Sequence, residues 1–209
     1  MPALKGSLTY ARFFVDGPLP TSFQEKFLKS IRLRSMKPLE PDDEVTERSG
    51  WCRLGEPMET ELSFEDLFYN SYLNVGFRTD RWMIPGPLLR TKLREAESAY
   101  LQKRGRERLS RKEKTELKDL VSKKLRRQLA PVTRMADVSW SLDEGIVRFF
   151  SHAPKQAAML EGLFVKTFAL KLVPEAPYTL AARLQPEPDL APGWDALEPT
   201  DLAEGEGVA

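Results

Sequence analysis

Residues 85–131 read "PGPLLRTKLREAESAYLQKRGRERLSRKEKTELKDLVSKKLRRQLAP" and carry the clearest signals for local structure in the chain. Pro87 suits the first turn of a helix, because proline lacks the N–H that this turn leaves unpaired. The apolar residues that follow advance by four, three and four positions, which places them on one helical face. These residues are Leu89, Leu93, Ala96 and Tyr100. A first helix is therefore predicted, with Gly105 interrupting it.

A second helix is predicted directly after this break. Ser110 and Glu113 have the S-x-x-E spacing of a capping box, in which each residue's side chain accepts a hydrogen bond from the other's backbone N–H. The apolar stripe behind this cap comprises Leu117, Leu120, Val121, Leu125 and Leu129, and Pro131 ends it. The two segments together predict a helical hairpin over about residues 86–130.

Strand-like patterns lie on both sides of this hairpin. Alternating, β-branched and aromatic residues predict strands in 7–17, in 67–84, and in a β-hairpin over 132–152 that turns at Asp143–Gly145. Helical spacing predicts helices after Thr21 or Ser22 and from Pro154 to Phe168. Segment 35–44 is predicted to be a loop, 47–57 a turn-rich segment held by Trp51, and 172–184 a last strand.

The predicted architecture is α+β, with sheet elements flanking a central basic helical hairpin. Residues 1–184 would form one domain, since a chain of 209 residues suits a single core of ordinary size. Residues 185–209 are rich in proline and acid, with few large apolar residues, and are predicted to be a disordered acidic tail.

Composition narrows the class of protein. A hydrophobic content of 41% is that of a globular chain, and one cysteine excludes a disulfide framework or a cysteine-based zinc site. The start of the chain lacks a basic segment followed by an apolar one, and no apolar run has the length of a membrane span. We therefore expect a soluble, cytoplasmic protein without a membrane partner.

The charge is unevenly distributed, although the formal net charge is only +1. Between residues 78 and 134 there are 18 Lys and Arg against 7 Asp and Glu. Acids dominate from about Glu40 to Asp66, and no basic residue follows Arg183. This asymmetry predicts a polyanionic partner for the middle of the chain.

Residues for catalysis are scarce. The lone His152 precedes a predicted helix and is interpreted as structural or capping, and Cys52 is interpreted as a buried or incidental thiol. No phosphate-binding glycine loop, dinucleotide motif or zinc-protease motif is present. The acidic segment 40–47 lacks the ligand spacing of a calcium loop and is interpreted as a solvated acidic loop. We expect no enzymatic activity, no cofactor and no metal.

The hairpin carries the candidate site. Helical propensity, the helix dipole, and the pairs Asp119–Lys123 and Lys112–Glu116 account for part of its charge. The remaining cations fit phosphate-backbone binding without base readout, of DNA or RNA. A solvated hairpin and an acidic protein partner stay open as alternatives. The candidate nucleic-acid-binding residues are Arg104, Arg106, Arg108, Arg111, Lys114, Lys118, Lys123, Arg126 and Arg127.

The order of these features resembles the recombination-associated RdgC family. The resemblance rests on the helix launched at Pro87, the basic joint 104–108, the Ser110–Lys114 helix start, and then Pro131 and Trp140. Gly50-Trp51 upstream and the pattern Gly145, Ser151, Ala157 and Leu160 downstream also match. The likeness covers roughly residues 8–180 as many weak matches in the right order.

The resemblance implies a bacterial, nucleoid-associated protein that binds double-stranded DNA without sequence preference and restrains the RecA recombinase in recombination or replication. It also implies a homodimer that encloses the duplex as a ring, with the basic joint and second helix facing DNA. Two departures stand out. The family continues with a further globular region where this chain has its acidic tail, and Ala130-Pro131-Val132-Thr133 replaces the family's Leu-Pro-x-x-Phe. A rival hypothesis is an interaction module whose basic hairpin docks an acidic partner or its own tail.

Overall fold

The computed structural model describes residues 9–184. Their fold is α+β, as the sequence predicts, and has seven strands and six helices in this part of the chain. The predicted acidic tail, 185–209, lies outside the described residues. In chain order the elements are β1 (Ala11–Asp16), α1 (Phe23–Leu33), β2 (Glu47–Cys52), α2 (Phe64–Leu67), β3 (Phe68–Tyr69), β4 (Tyr72–Arg81), α3 (Gly86–Arg104), α4 (Arg111–Arg126), β5 (Val132–Ser141), β6 (Ile146–Phe149), α5 (Pro154–Phe168), β7 (Lys171–Pro174) and α6 (Pro177–Leu184).

The strands form one antiparallel sheet in the order β2-β4-β5-β6-β1-β7, with β3 paired to the start of β4. Its longest pairing joins β4 and β5, from Tyr72 opposite Ser141 to Arg81 opposite Val132. Helices α3 and α4 lie between these two neighbouring strands in sequence. Both helices therefore leave the sheet at its Arg81–Val132 end, and the β5–β6 turn lies at the other end.

One face of the sheet is covered by α1 and α5 and holds the main core. Aromatic rings fill it: Trp140 lies 5.3 Å from Phe168 and 5.6 Å from Phe27, centroid to centroid. Trp51 is fully buried, and its indole N–H donates a 2.9 Å hydrogen bond to Thr167 Oγ1 on α5. Large apolar side chains of this kind supply most of the burial free energy of a domain.

The opposite face of β4 and β5 is more polar and is partly buried. Asp80 accepts two bonds from the Arg78 guanidinium, at 2.8 and 2.5 Å, and one from Thr133 Oγ1 at 2.8 Å. A third Arg78 nitrogen donates to the Pro57 carbonyl at 2.9 Å. Because Asp80 is 1% exposed, this cluster is a buried ion pair whose hydrogen-bonding groups are matched across three segments.

Most predicted elements are confirmed, and four details differ. Segment 47–57 contains strand β2, which pairs with β4, rather than turns alone. The other edge of β2 contacts residues 34–36, where Trp51 N–H donates a 3.0 Å hydrogen bond to the Arg34 carbonyl. Gly50 permits this approach, because a Cβ there would lie 2.5 Å from the Met36 Cα. Ser22 precedes α1 without a side-chain capping bond. The short α2 and the terminal α6 are not expected from the sequence.

Candidate nucleic-acid interface

Helices α3 and α4 pack on each other and form what we call the α3–α4 pair (residues 86–126). Pro87 lies in the first turn of α3, and Gly105 ends that helix in the left-handed conformation, with φ of 59°. No residue of α3 is buried. The α3–α4 pair therefore contributes little to the main core and presents most of its surface to solvent.

The joint between the two helices is fixed by the predicted capping box. Ser110 N–H donates to the Glu113 carboxylate at 2.8 Å, and Glu113 N–H donates to Ser110 Oγ at 3.2 Å. The Tyr100 hydroxyl on α3 adds a 3.1 Å bond to Glu113 Oε1. The bonds from Ser110, followed by that from Tyr100 and the charge of Arg106, lower the pKa of Glu113. One carboxylate thus caps α4 and ties it to α3.

The other end of α4 is anchored to the acidic loop, which we define as residues 40–44. Arg126 is buried, and its guanidinium donates a 2.9 Å hydrogen bond to the Asp43 carbonyl and a 3.5 Å bond to the Pro41 carbonyl. Arg127 binds both carboxylate oxygens of Asp42, at 2.9 and 3.1 Å. The interpretation of this segment as merely solvated is incomplete, because its acids and carbonyls hold the base of α4.

The nine predicted site residues consequently fall into different surroundings. Arg126 and Arg127 have no obvious partner within the helix, and both are engaged by the acidic loop. Arg106 is 3.5 Å from Glu113 but keeps an exposed side chain. The Arg104 guanidinium lies 5.5 Å from the Tyr100 ring centroid, a cation–π contact.

Two further predicted residues lie apart from these contacts. Lys123 lines a depression beside Asp43 and Glu44. The exposed Arg108 has no hydrogen bond or ion pair with the described residues.

Three predicted residues form a coherent surface that we call the basic row. Arg111, Lys114 and Lys118 are spaced at i, i+3 and i+7, so they share one face of α4. All three are exposed, and none has a side-chain ion pair or hydrogen bond with another residue in 9–184. Cations without partners keep their full charge available to a ligand.

Sequence reasoning missed further exposed cations on α3 and at the base of the α3–α4 pair. Arg90 and Arg94 are one turn apart on α3, and they also lack an ion-pair partner among the described residues. Arg81 and Arg134 lie at the end of the sheet from which α3 leaves, on adjacent strands. The spacing of Arg90 and Arg94 was visible in the sequence, whereas Arg81 and Arg134 become neighbours only through the strand register.

A groove of about 420 Å³ runs between α3 and α4. Ala96, Leu120, Val121 and Leu125 provide apolar surface there, and Lys92 and Lys124 lie among its charged residues. The sequence predicts Leu120 as part of the buried stripe, yet its side chain is 64% exposed. No residue of the basic row lines this groove. The α3–α4 pair therefore offers two distinct surfaces, one purely cationic and one apolar with cations beside it.

Residues considered for catalysis occupy unremarkable positions. Burial raises the pKa of the Cys52 thiol to about 12, which disfavours the thiolate, its nucleophilic form. His152 is exposed at the start of α5. Within residues 9–184, no group of three or more His, Cys, Asp or Glu side chains is placed to hold a metal ion. None of the helices described there is both long and apolar enough to cross a membrane.

Neither a scan against protein-family models nor a search of curated proteins found a match for this chain. The resemblance to the RdgC family therefore stays an expectation from the sequence pattern.

Proposed function

We propose that this chain binds the phosphate backbone of double-stranded DNA, without sequence preference and without catalysis, through the exposed cationic surface of the α3–α4 pair. The observation that carries the proposal is the basic row: Arg111, Lys114 and Lys118 share one exposed helix face and have no acidic partner among the described residues. A merely solvated helix would gain stability by pairing such cations with i±4 acids, as Lys112 does with Glu116 at 3.9 Å.

The spacing of the basic row suits a polyanion. Seven residues advance about 10 Å along a helix, and B-DNA carries one negative charge per about 1.7 Å of its axis. Each cation can therefore neutralise a phosphate and release a condensed counterion at any register along the duplex. Such contacts fix position but read no bases, so they favour affinity without sequence preference.

The capping bonds at Ser110 and the anchor at Arg126 support the same proposal. They hold both ends of α4, so the basic row sits on a helix that is ordered before any ligand arrives. Binding then costs mainly the side-chain entropy of long cations, rather than the larger cost of ordering a backbone.

The cellular role that we propose is restraint of a RecA-type recombinase during homologous recombination or replication, by a nucleoid-associated homodimer. This part follows from the RdgC resemblance alone. It predicts that adding the protein slows RecA-dependent strand exchange on duplex substrates. Undiminished exchange at concentrations that saturate the duplex would contradict the role while leaving DNA binding intact.

The direct test of DNA binding is fluorescence anisotropy with two labelled duplexes of equal length and unrelated sequence. We expect equal dissociation constants that weaken together as salt is raised. An RNA duplex of the same length tests the choice of nucleic acid. Absence of binding at low salt, or a strong preference for one duplex sequence, would contradict the proposal.

A further inference from the structure

The groove between α3 and α4 is an unpartnered surface that the basic row does not share. Leu120 stands in it with most of its side chain exposed, beside Ala96 and above the buried Val121 and Leu125. Lys92, Glu95 and Lys124 flank this apolar surface, and Lys92 Nζ lies 2.8 Å from the Glu95 carboxylate. An apolar groove rimmed by charged residues is the kind of surface on which another segment docks.

The charge of the groove restricts what can cover it. A second α3–α4 pair would bring two strongly cationic surfaces together, and like charges at short range oppose such an association. An amphipathic segment with acidic residues next to large apolar ones has the complementary chemistry. Its apolar side chains would contact Leu120, and its carboxylates would pair with Lys124, which has no ion-pair partner among the described residues.

The chain contains one segment of this kind outside the described residues. Residues 185–209 hold seven acidic residues and no basic one, together with Leu190, Trp194, Leu197 and Leu202. We propose that this segment docks in the α3–α4 groove of its own chain, with the region around Trp194 and Leu197 against Leu120.

The segment is long enough for this docking. The described chain ends beside the β5–β6 turn, where the Arg183 guanidinium donates a 2.7 Å hydrogen bond to the Glu144 carbonyl. The ten residues of β5 separate this turn from the base of the α3–α4 pair, a distance of about 33 Å. An extended chain spans about 3.3–3.6 Å per residue, so the 13 residues from Leu184 to Leu197 span up to about 43–47 Å, which exceeds the distance to the base of the α3–α4 pair.

A docked acidic segment would regulate the proposed function. Seven carboxylates next to the α3–α4 pair would lower its positive potential and compete with phosphates for the same cations. The regulatory consequence rests on the proposed DNA binding, but the docking itself does not. A test of docking should therefore be read without DNA.

Disulfide trapping in the full chain provides that test. Gln128 lines the groove, whereas Thr115 lies on α4 outside it, and both are exposed, uncharged residues. The pairs Gln128→Cys with Ala196→Cys and Thr115→Cys with Ala196→Cys would be oxidised at low protein concentration and analysed by mass spectrometry. The native Cys52 is buried, so it should not compete.

We expect the Gln128 pair to close an intramolecular disulfide at least about tenfold faster than the Thr115 pair, because docking raises the effective concentration of the segment. Adding Leu120→Glu should remove this advantage, and the exposure of Leu120 makes that change compatible with folding. Equal rates, an advantage that survives Leu120→Glu, or disulfides formed between two chains would overturn the proposal. Fast trapping in a protein that binds no duplex would contradict only the proposed function.

Discussion

The guanidinium of Arg126 donates a 2.9 Å hydrogen bond to the backbone carbonyl of Asp43, which lies 83 residues earlier in the chain. This long-range bond closes the base of α4 onto the acidic loop. The cations of the α3–α4 pair therefore have different roles. Arg126 is buried and stabilises the fold, whereas Lys118, two turns earlier on the same helix, has no partner among the described residues.

The Arg126→Ala substitution should therefore destabilise the protein. It removes a buried, charge-assisted hydrogen bond and leaves the Asp43 carbonyl without this donor, which corresponds to roughly 1.5–3 kcal/mol of unfolding free energy. The matched control, Lys118→Ala, removes an equally long cation from an exposed position and should change stability by less than about 0.5 kcal/mol. Urea unfolding monitored by tryptophan fluorescence measures both. Equal destabilisation by the two substitutions would contradict the division of tasks.

The capping box predicts a pH dependence that Glu113→Gln should remove. The pKa of Glu113 is lowered in the folded chain by its bonds to Ser110, so its contribution is complete above the unfolded-state pKa of about 4.3. That contribution is lost as the pH falls through the lowered folded-state pKa. Glutamine can still accept the Ser110 N–H bond but does not titrate.

The measurement is the free energy of unfolding of wild type and Glu113→Gln as the pH is lowered. The second capping box, Ser63 with Asp66, titrates in both proteins, so the difference between them isolates Glu113. We expect the wild-type advantage to shrink toward acidic pH. A difference that is independent of pH would show that the Glu113 carboxylate is not held as described.

A third prediction concerns the buried ion pair of Arg78 and Asp80 on the polar face of the sheet. Asp80→Asn removes the charge that compensates Arg78, and an uncompensated buried charge costs roughly 3–5 kcal/mol. Asp42→Asn removes a carboxylate from the Arg127 pair, whose side chains are 65% and 60% exposed, and should cost less than about 1 kcal/mol. Thermal unfolding compares the two variants. A small effect at Asp80 would contradict the account of that face.

Much of the fold is predictable because local signals agree with tertiary packing. The Ser110–Glu113 spacing, Pro87, Gly105 and the helical periodicity of Phe23 to Ile31 each specify a structure that forms as expected. Strand β2 is not predicted from the sequence because Gly50 and Ser49 have low strand propensity. It is stabilised by pairing with β4 and by the burial of Trp51, which are not local features of that segment.

The site is less predictable than the helices that carry it. Sequence spacing shows which cations lack a helical partner, but it does not show partners from other segments, such as the acidic loop that holds Arg126 and Arg127. Similarly, helical periodicity assigns Leu120 to a buried stripe. In the structure Leu120 lines the open groove between α3 and α4, a feature of the packing of the two helices that periodicity does not show.

The salt dependence of duplex binding tests whether the basic row contacts the phosphates of DNA. For a protein that neutralises Z phosphates, the logarithm of the binding constant falls against that of the salt concentration with a slope of about −0.9Z. Each cation that contacts a phosphate should therefore contribute about 0.9 to the slope.

The decisive measurement compares wild type with the Arg111→Gln, Lys114→Gln, Lys118→Gln triple variant over one salt series and two unrelated duplexes. The account predicts weaker binding and a slope shallower by about 2.7 for both duplexes, with unchanged unfolding free energy. A wild-type slope retained in the triple variant would contradict the claim that this row contacts DNA.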